Sequence, residues 1–200
     1  MADPYNREKE LQKKLNLFLT NNLDLPDKDY YSNLNAGDFL QLKSVLSDIN
    51  NILTLKVTLS FARWAANHFN FNPQLKDTIL TKIINTKPNA NGYDIEISAP
   101  VKFIAEVKCN IPIKKGTTYG SAQRLGINKD IAALINGKNK SAIKPYEYYK
   151  FMVFLDNPEV KKATEHFVSN MKKNKNKVVF AADVSSITNT DNVYIVYAKI

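Results

Sequence analysis

The stretch Gly92-Tyr93-Asp94-Ile95-Glu96-Ile97-Ser98-Ala99-Pro100-Val101-Lys102-Phe103-Ile104-Ala105-Glu106-Val107-Lys108 decides how the chain is read. It has the form of two short strands joined at a turn near Pro100. Successive strand residues point to opposite faces. Pairing about the turn therefore sets Asp94 directly opposite Glu106 and puts Asp94, Glu96, Glu106 and Lys108 on one face. The other face carries Ile95, Ile97, Val101, Phe103, Ala105, Val107 and Cys109, an almost unbroken apolar stripe. Burial of that stripe forces three carboxylates and a lysine together.

Like charges facing each other across a strand pair repel, and a divalent cation between Asp94 and Glu106 would offset the repulsion. Two carboxylates that leave other positions to water and a substrate phosphate suit Mg²⁺. Such an ion lowers the pKa of a bound water and neutralises charge building on a phosphodiester. Lys108 is placed to orient or help deprotonate that water, or to pair with a phosphate oxygen. The plainer alternative is an amphipathic hairpin whose mixed charges face solvent.

Asp94, eleven intervening residues, then Glu106-Val107-Lys108 resembles the catalytic signature of the PD-(D/E)XK nuclease superfamily, over residues 75–155. Tyr93 stands where the motif's name has Pro, and Glu96 offers a second acidic side chain on the first strand. The resemblance implies an α/β, mixed α+β fold. It would have a restriction-endonuclease-like core, a central mixed β-sheet flanked by helices, plus an N-terminal helical section. It also implies Asp94 and Glu106 as metal ligands, with Glu96 as a possible additional acidic ligand, and Lys108 as their catalytic companion. Mg²⁺ would be the cofactor and double-stranded DNA the substrate. Small size and the lack of helicase or ATP-binding motifs suit a stand-alone Type II restriction endonuclease; a resolvase or repair nuclease shares that core. A noncatalytic nucleic-acid-binding protein is the competing class. One metal centre per chain and two scissile phosphates in a symmetric site make a homodimer the expected assembly.

Two hundred residues at 44% hydrophobic content can bury a substantial core. No stretch approaches the roughly 18 consecutive apolar residues of a membrane span. The first residues, Met1-Ala2-Asp3-Pro4-Tyr5-Asn6-Arg7-Glu8, carry no apolar signal region, so no membrane association and a cytoplasmic location are expected. The single Cys109 has no internal disulfide partner and reads as a buried thiol. His68 and His166 lie far apart without companion ligands, one reading as the end of a helix and the other as a surface helix residue.

Residues 1–100 hold 11 basic and 11 acidic side chains, whereas residues 101–200 hold 17 and 8, so the whole excess of +9 follows the hairpin turn. One cluster runs through Lys138, Lys140, Lys144 and Lys150, interleaved with Tyr146, Tyr148 and Tyr149. A polyanionic partner is the natural inference. A second run, Lys172, Lys173, Lys175 and Lys177, reads as a solvated loop.

Apolar spacing predicts helices over 7–22, 36–50 and 54–69, then a segment over 78–84 that reads as strand or helix and fits a first strand on its β-branched content and its place before the hairpin, then the hairpin strands. A long segment from 110 to 127 precedes a helix over 128–136 closed by Gly137. A strand over 148–155, a helix over 158–172 and closing strands over 178–184 and 193–199 complete the pattern. With no repeat or linker the chain reads as one domain, 1–200: a helical section 1–70, a catalytic core 75–155, and a C-terminal helix and strands 156–200. Within it, Ile111–Gly126 leaves the strand of Glu106 and concentrates hydroxyl and amide side chains. Lys114, Lys115, Thr117, Thr118, Tyr119, Ser121, Gln123, Arg124 and Lys129 are the candidate DNA contacts. The segment also reads as an ordinary glycine-rich loop facing water. Asp130 reads equally as a charge matched to a helix N-terminus.

Overall fold

In the computed structural model, which describes residues 5–87, 92–139, 141–181 and 186–200, strand β1 (Ile95–Ile97) pairs antiparallel with β2 (Phe103–Lys108). Their register is Ile95 with Ala105, Glu96 with Ile104 and Ile97 with Phe103, the one expected from the Pro100 turn. β2 then pairs in parallel with β3 (Tyr149–Leu155), β3 with β5 (Val193–Ala198), and β5 with β4 (Val178–Phe180). The result is a five-stranded mixed sheet of order β1-β2-β3-β5-β4.

Contacts divide the chain into two units, Met1–Ile49 and Asn50–Ile200, with the boundary inside one long helix, α3 (Ala36–His68). The first unit holds α1 (Arg7–Leu23), the short α2 (Tyr30–Asn33) and the start of α3. Polar bonds stitch it together. Asp29 accepts hydrogen bonds from Gln12 (2.8 Å) and Asn16 (3.1 Å), and Asn16 accepts the backbone N–H groups of Tyr30 and Tyr31. Hydrogen bonds from Ser32, Asn16 and Gln12 hold the Asp29 carboxyl well below the usual carboxylate range.

In the second unit the two faces of the sheet are covered by different helices. Odd-numbered residues Ile95, Ile97, Phe103, Ala105, Val107, Phe151 and Val153 pack against Val57, Phe61, Ala62 and Ala65 of α3 and Ile79 and Ile83 of α4 (Pro73–Asn85). Ile104, Met152, Phe154 and Ile195 pack on the other side against Ile127, Ile131 and Leu134 of α5 (Ser121–Asn136) and Val160, Ala163 and Phe167 of α6 (Pro158–Ser169). Burying a side chain of this size contributes about 1.5–3 kcal/mol, and the two clusters between them hold every strand in place. Cys109 is half-buried against the first cluster, and burial pushes its thiol up. His68 ends α3, stacked on Trp64 at 5.2 Å.

Several expected elements are corrected. Residues 78–84 belong to α4, because the Asn72 side chain caps the helix by accepting the Leu75 N–H at 2.8 Å and Leu75, Ile79 and Ile83 share one side. Two strands, rather than three, therefore precede α5 among the described residues. Residues 36–50 and 54–69 are one helix, since nothing between Asn50 and Leu53 breaks it. α5 begins at Ser121, seven residues earlier than expected. α6 ends at Ser169 instead of 172, and β4 spans Val178–Phe180, with 182–185 of the expected strand outside the described residues. Among the described residues no helix is long and apolar enough to cross a membrane.

Candidate active site

The register carries one step further to set Asp94 beside Glu106 at the end of the β1–β2 ladder. Asp94 Oδ2 accepts the Val107 N–H at 2.7 Å, so its carboxylate takes the place of a ladder carbonyl and is turned toward β2. Glu106 follows on the face covered by α5 and is only 5% exposed. A carboxylate this deep needs a cation. Lys138, just beyond the C-terminal end of α5, supplies one, its ammonium 2.5 Å from Glu106 Oε1.

The same lysine ties the site together from above. It donates to the Gly92 carbonyl and sits 4.8 Å over the ring of Tyr93. Tyr93 is buried and donates its hydroxyl to the Ala133 carbonyl at 3.0 Å. Lys108 is ion-paired with Asp130 of α5. Five charged groups are thus gathered, the carboxylates of Asp94, Glu106 and Asp130 with the ammoniums of Lys138 and Lys108. Glu106 Oε1 and Asp130 Oδ2 are fully buried and meet their lysines as ion pairs without accepting a hydrogen bond of good angle.

Electrostatics register the crowding. Burial, and then the charge of Asp94, push the Glu106 carboxyl up to about 7 against the pull of Lys138. Loss of solvation also raises Asp94, opposed by the Val107 N–H, Lys108 and Lys138. Burial and the charges of Glu106 and Glu96 push Tyr93 up to about 12. Two acids raised in part by proximity form a site able to take up a cation or share a proton.

The structure gathers Asp94, Glu106 and Lys108. Glu96 lies half-exposed on the same side, its charge felt by Tyr93. Asp130 and Lys138 join them through their ion pairs with Lys108 and Glu106. Asp130 lies in the middle of α5, well past its first turn, so the helix-dipole explanation fails for it. Its spacing from Ile127, Ile131 and Leu134 puts it on the sheet-facing side, a signal legible once α5 is begun at Ser121. Among the described residues no group of three or more His, Cys, Asp or Glu side chains is arranged to hold a metal; the available oxygen donors are the pair Asp94 and Glu106.

The candidate DNA contacts scatter. Tyr119 is core, 1% exposed, its hydroxyl 2.8 Å from Thr164 Oγ1, because the segment folds back onto α6. Gln123 caps α5, bonding the Gly120 N–H and the Ile111 carbonyl. Thr117 bonds the Lys114 carbonyl, and Thr118 pairs with Ile113 in an isolated bridge. Lys114, Lys115, Ser121, Arg124 and Lys129 remain exposed. Ser121 and Arg124 line a cleft of about 680 Å³ together with Leu125, His166, Phe167 and Lys172, which does not include Asp94, Glu106 or Lys108.

The basic cluster is also revised. Lys138 is committed to Glu106, Lys150 is 3% exposed and donates to the Pro145 and Thr190 carbonyls, and Tyr148 is buried. Burial lowers the Lys150 ammonium. Lys144 and Tyr146 face solvent, and Lys140 lies outside the described residues. Lys172, Lys173, Lys175 and Lys177 are exposed around a short turn after α6, as a solvated loop should be. Set against known proteins, the chain matches no family model, no curated protein and no solved structure.

Proposed function

We propose that the chain is a Mg²⁺-dependent endonuclease acting on double-stranded DNA, similar in its core to PD-(D/E)XK enzymes and working as a Type II restriction endonuclease. The observation that carries this reading is the β1–β2 register, which brings Asp94 against Glu106 with Lys108 on the same strand face. Asp94 and Glu106 are the metal-holding carboxylates, and Lys138 must release Glu106 for both to serve. The ion, when bound, polarises the phosphodiester and lowers the pKa of its water. Lys108, held by Asp130, orients the water that attacks phosphorus as one P–O bond breaks. Exposed Lys114, Lys115, Arg124 and Lys129 are left to meet phosphates. Two copies related by a twofold axis cut the two strands.

One observation favours a noncatalytic nucleic-acid-binding protein instead: Glu106 and Lys108 are both already engaged in ion pairs. Incubation with long duplex DNA in Mg²⁺ or in EDTA separates the two. The nuclease gives discrete fragments in Mg²⁺ and none in EDTA; intact but retarded DNA in both moves the assignment to the binding protein. Mg²⁺ should also raise the melting temperature of the wild type and leave Asp94→Asn unmoved.

A further inference from the structure

The cleft of about 680 Å³ lies wholly within the second unit, between α5 and the end of α6. Helical spacing builds one wall. Ser121, Leu125, Asn128 and Ala132 recur at steps of four, three and four, so they share a side of α5 distinct from that of Ile127, Ile131 and Leu134, which pack on the sheet. The other wall is the last turn of α6 and the chain just after it, with His166, Phe167, Asn170 and Met171. Phe167 and Met171 belong to the core and give the cleft an apolar floor, while Leu125 is 70% exposed beside them.

The charges on this cleft are of one sign. Arg124, Lys172 and Lys173 line it and are exposed, and none of its described lining residues is acidic. Among the described residues none of these three cations is ion-paired. Like charges around one opening repel, and an anion carrying several charges offsets that. Arg124 is already oriented: its Nη1 donates to the Tyr119 carbonyl at 2.7 Å, which fixes the guanidinium plane and leaves other N–H groups for phosphate oxygens.

We infer that the cleft binds a free nucleoside triphosphate, with its phosphates on Arg124, Lys172 and Lys173 and its base against Leu125 and Phe167. A cavity of roughly 300–1,000 Å³ suits one small molecule. An inorganic anion would leave the apolar floor uncovered, and an acyl chain would set the amides of Asn128 and Asn170 against hydrocarbon. A heterocycle answers both, laying its face on the apolar side chains and turning its edge groups to the amides. The lining does not include Asp94, Glu106 or Lys108, so the inference stands apart from the nuclease reading.

Equilibrium dialysis of the full chain against ATP, GTP, CTP and UTP in EDTA tests it. At least one should bind with a dissociation constant of about 1–100 µM, and its nucleoside at least about tenfold more weakly. Arg124→Gln and the double variant Lys172→Glu/Lys173→Glu should each weaken binding at least about tenfold with the circular dichroism spectrum unchanged. The double variant alters exposed positions only, so it decides the matter even where Arg124→Gln disturbs the fold. No binding of any of the four at about 1 mM overturns the inference, as does an affinity indifferent to the double variant. Inorganic tripolyphosphate binding as tightly as the best nucleotide would reduce the cleft to a polyanion patch, and tighter binding of a short single strand would give it to nucleic acid; either overturns it. Nucleotide binding by a protein that cuts no DNA in Mg²⁺ would sink the nuclease while leaving the cleft's assignment intact.

Discussion

Glu106 meets Lys138 at 2.5 Å, and its carboxyl is nevertheless pushed up to about 7. An ion pair ordinarily favours the carboxylate. Here burial under α5 and the neighbouring charge of Asp94 outweigh it. The pair is a compensation for a buried charge more than a source of stability.

The first expectation concerns pH. The folded-state value lies above the ordinary 4.5, so between about pH 4.5 and 7 the folded protein holds more protons than the unfolded chain. Stability must fall as pH rises through that window, by up to about 3 kcal/mol at 1.36 kcal/mol per unit. Asp94, shifted the same way, adds to the fall. Glu106→Gln should flatten the curve and be more stable than the wild type at pH 8 but not at pH 5. Urea denaturation at a series of pH values checks this; parallel curves for the two proteins would contradict it.

Cleavage separates the roles of the charged groups. Lys108→Ala should lower the rate at least about a hundredfold with duplex affinity nearly unchanged, because other cations supply phosphate contacts. Asp130→Asn should lower it about tenfold by freeing Lys108, with Asp130→Glu recovering part. Glu96→Ala should keep activity, since Asp94 is the first-strand acid turned toward Glu106. Single-turnover rates beside gel-shift affinities decide each case, and equal loss of binding and cleavage in Lys108→Ala would reduce it to an electrostatic contact.

Tyr119 should behave as a core residue. Removing its hydroxyl in Tyr119→Phe takes one partner from Thr164 Oγ1, which keeps its bond to the Val160 carbonyl at 2.7 Å, and should cost about 1 kcal/mol. Tyr119→Ala opens a cavity and should cost about 3–5 kcal/mol. Thermal unfolding measures both, and gel shifts with Tyr119→Phe should show unchanged affinity for duplex DNA.

The hairpin was legible because alternation with period two leaves a single register that buries Ile95, Ile97, Phe103, Ala105 and Val107 together. That register also placed Asp94 and Glu106. The partners of Glu106 and Lys108 are harder to read, since Asp130 lies inside α5, which starts seven residues before the apolar spacing suggests, and Lys138 follows just beyond its end. Its start signal is present: Gln123, the third residue of the helix, reaches back to accept the Gly120 N–H at 2.7 Å. Likewise Asn72-Pro73 marks the start of α4 more firmly than the β-branched content of 78–84 marks a strand. The fates of Tyr119 and Lys150 were not legible, because which polar side chains a sheet covers depends on where distant segments cross it.

Strand order has a consequence for how the chain reaches this state. β5 follows both β3 and β4 in the chain, yet it lies between them and pairs with both. Until Val193–Ala198 arrives, the apolar flanks of β3 and β4 are open edges with unsatisfied backbone groups. During synthesis the sheet therefore stays unfinished until Val193–Ala198 clears the ribosome, and during that interval self-association through those edges competes with folding.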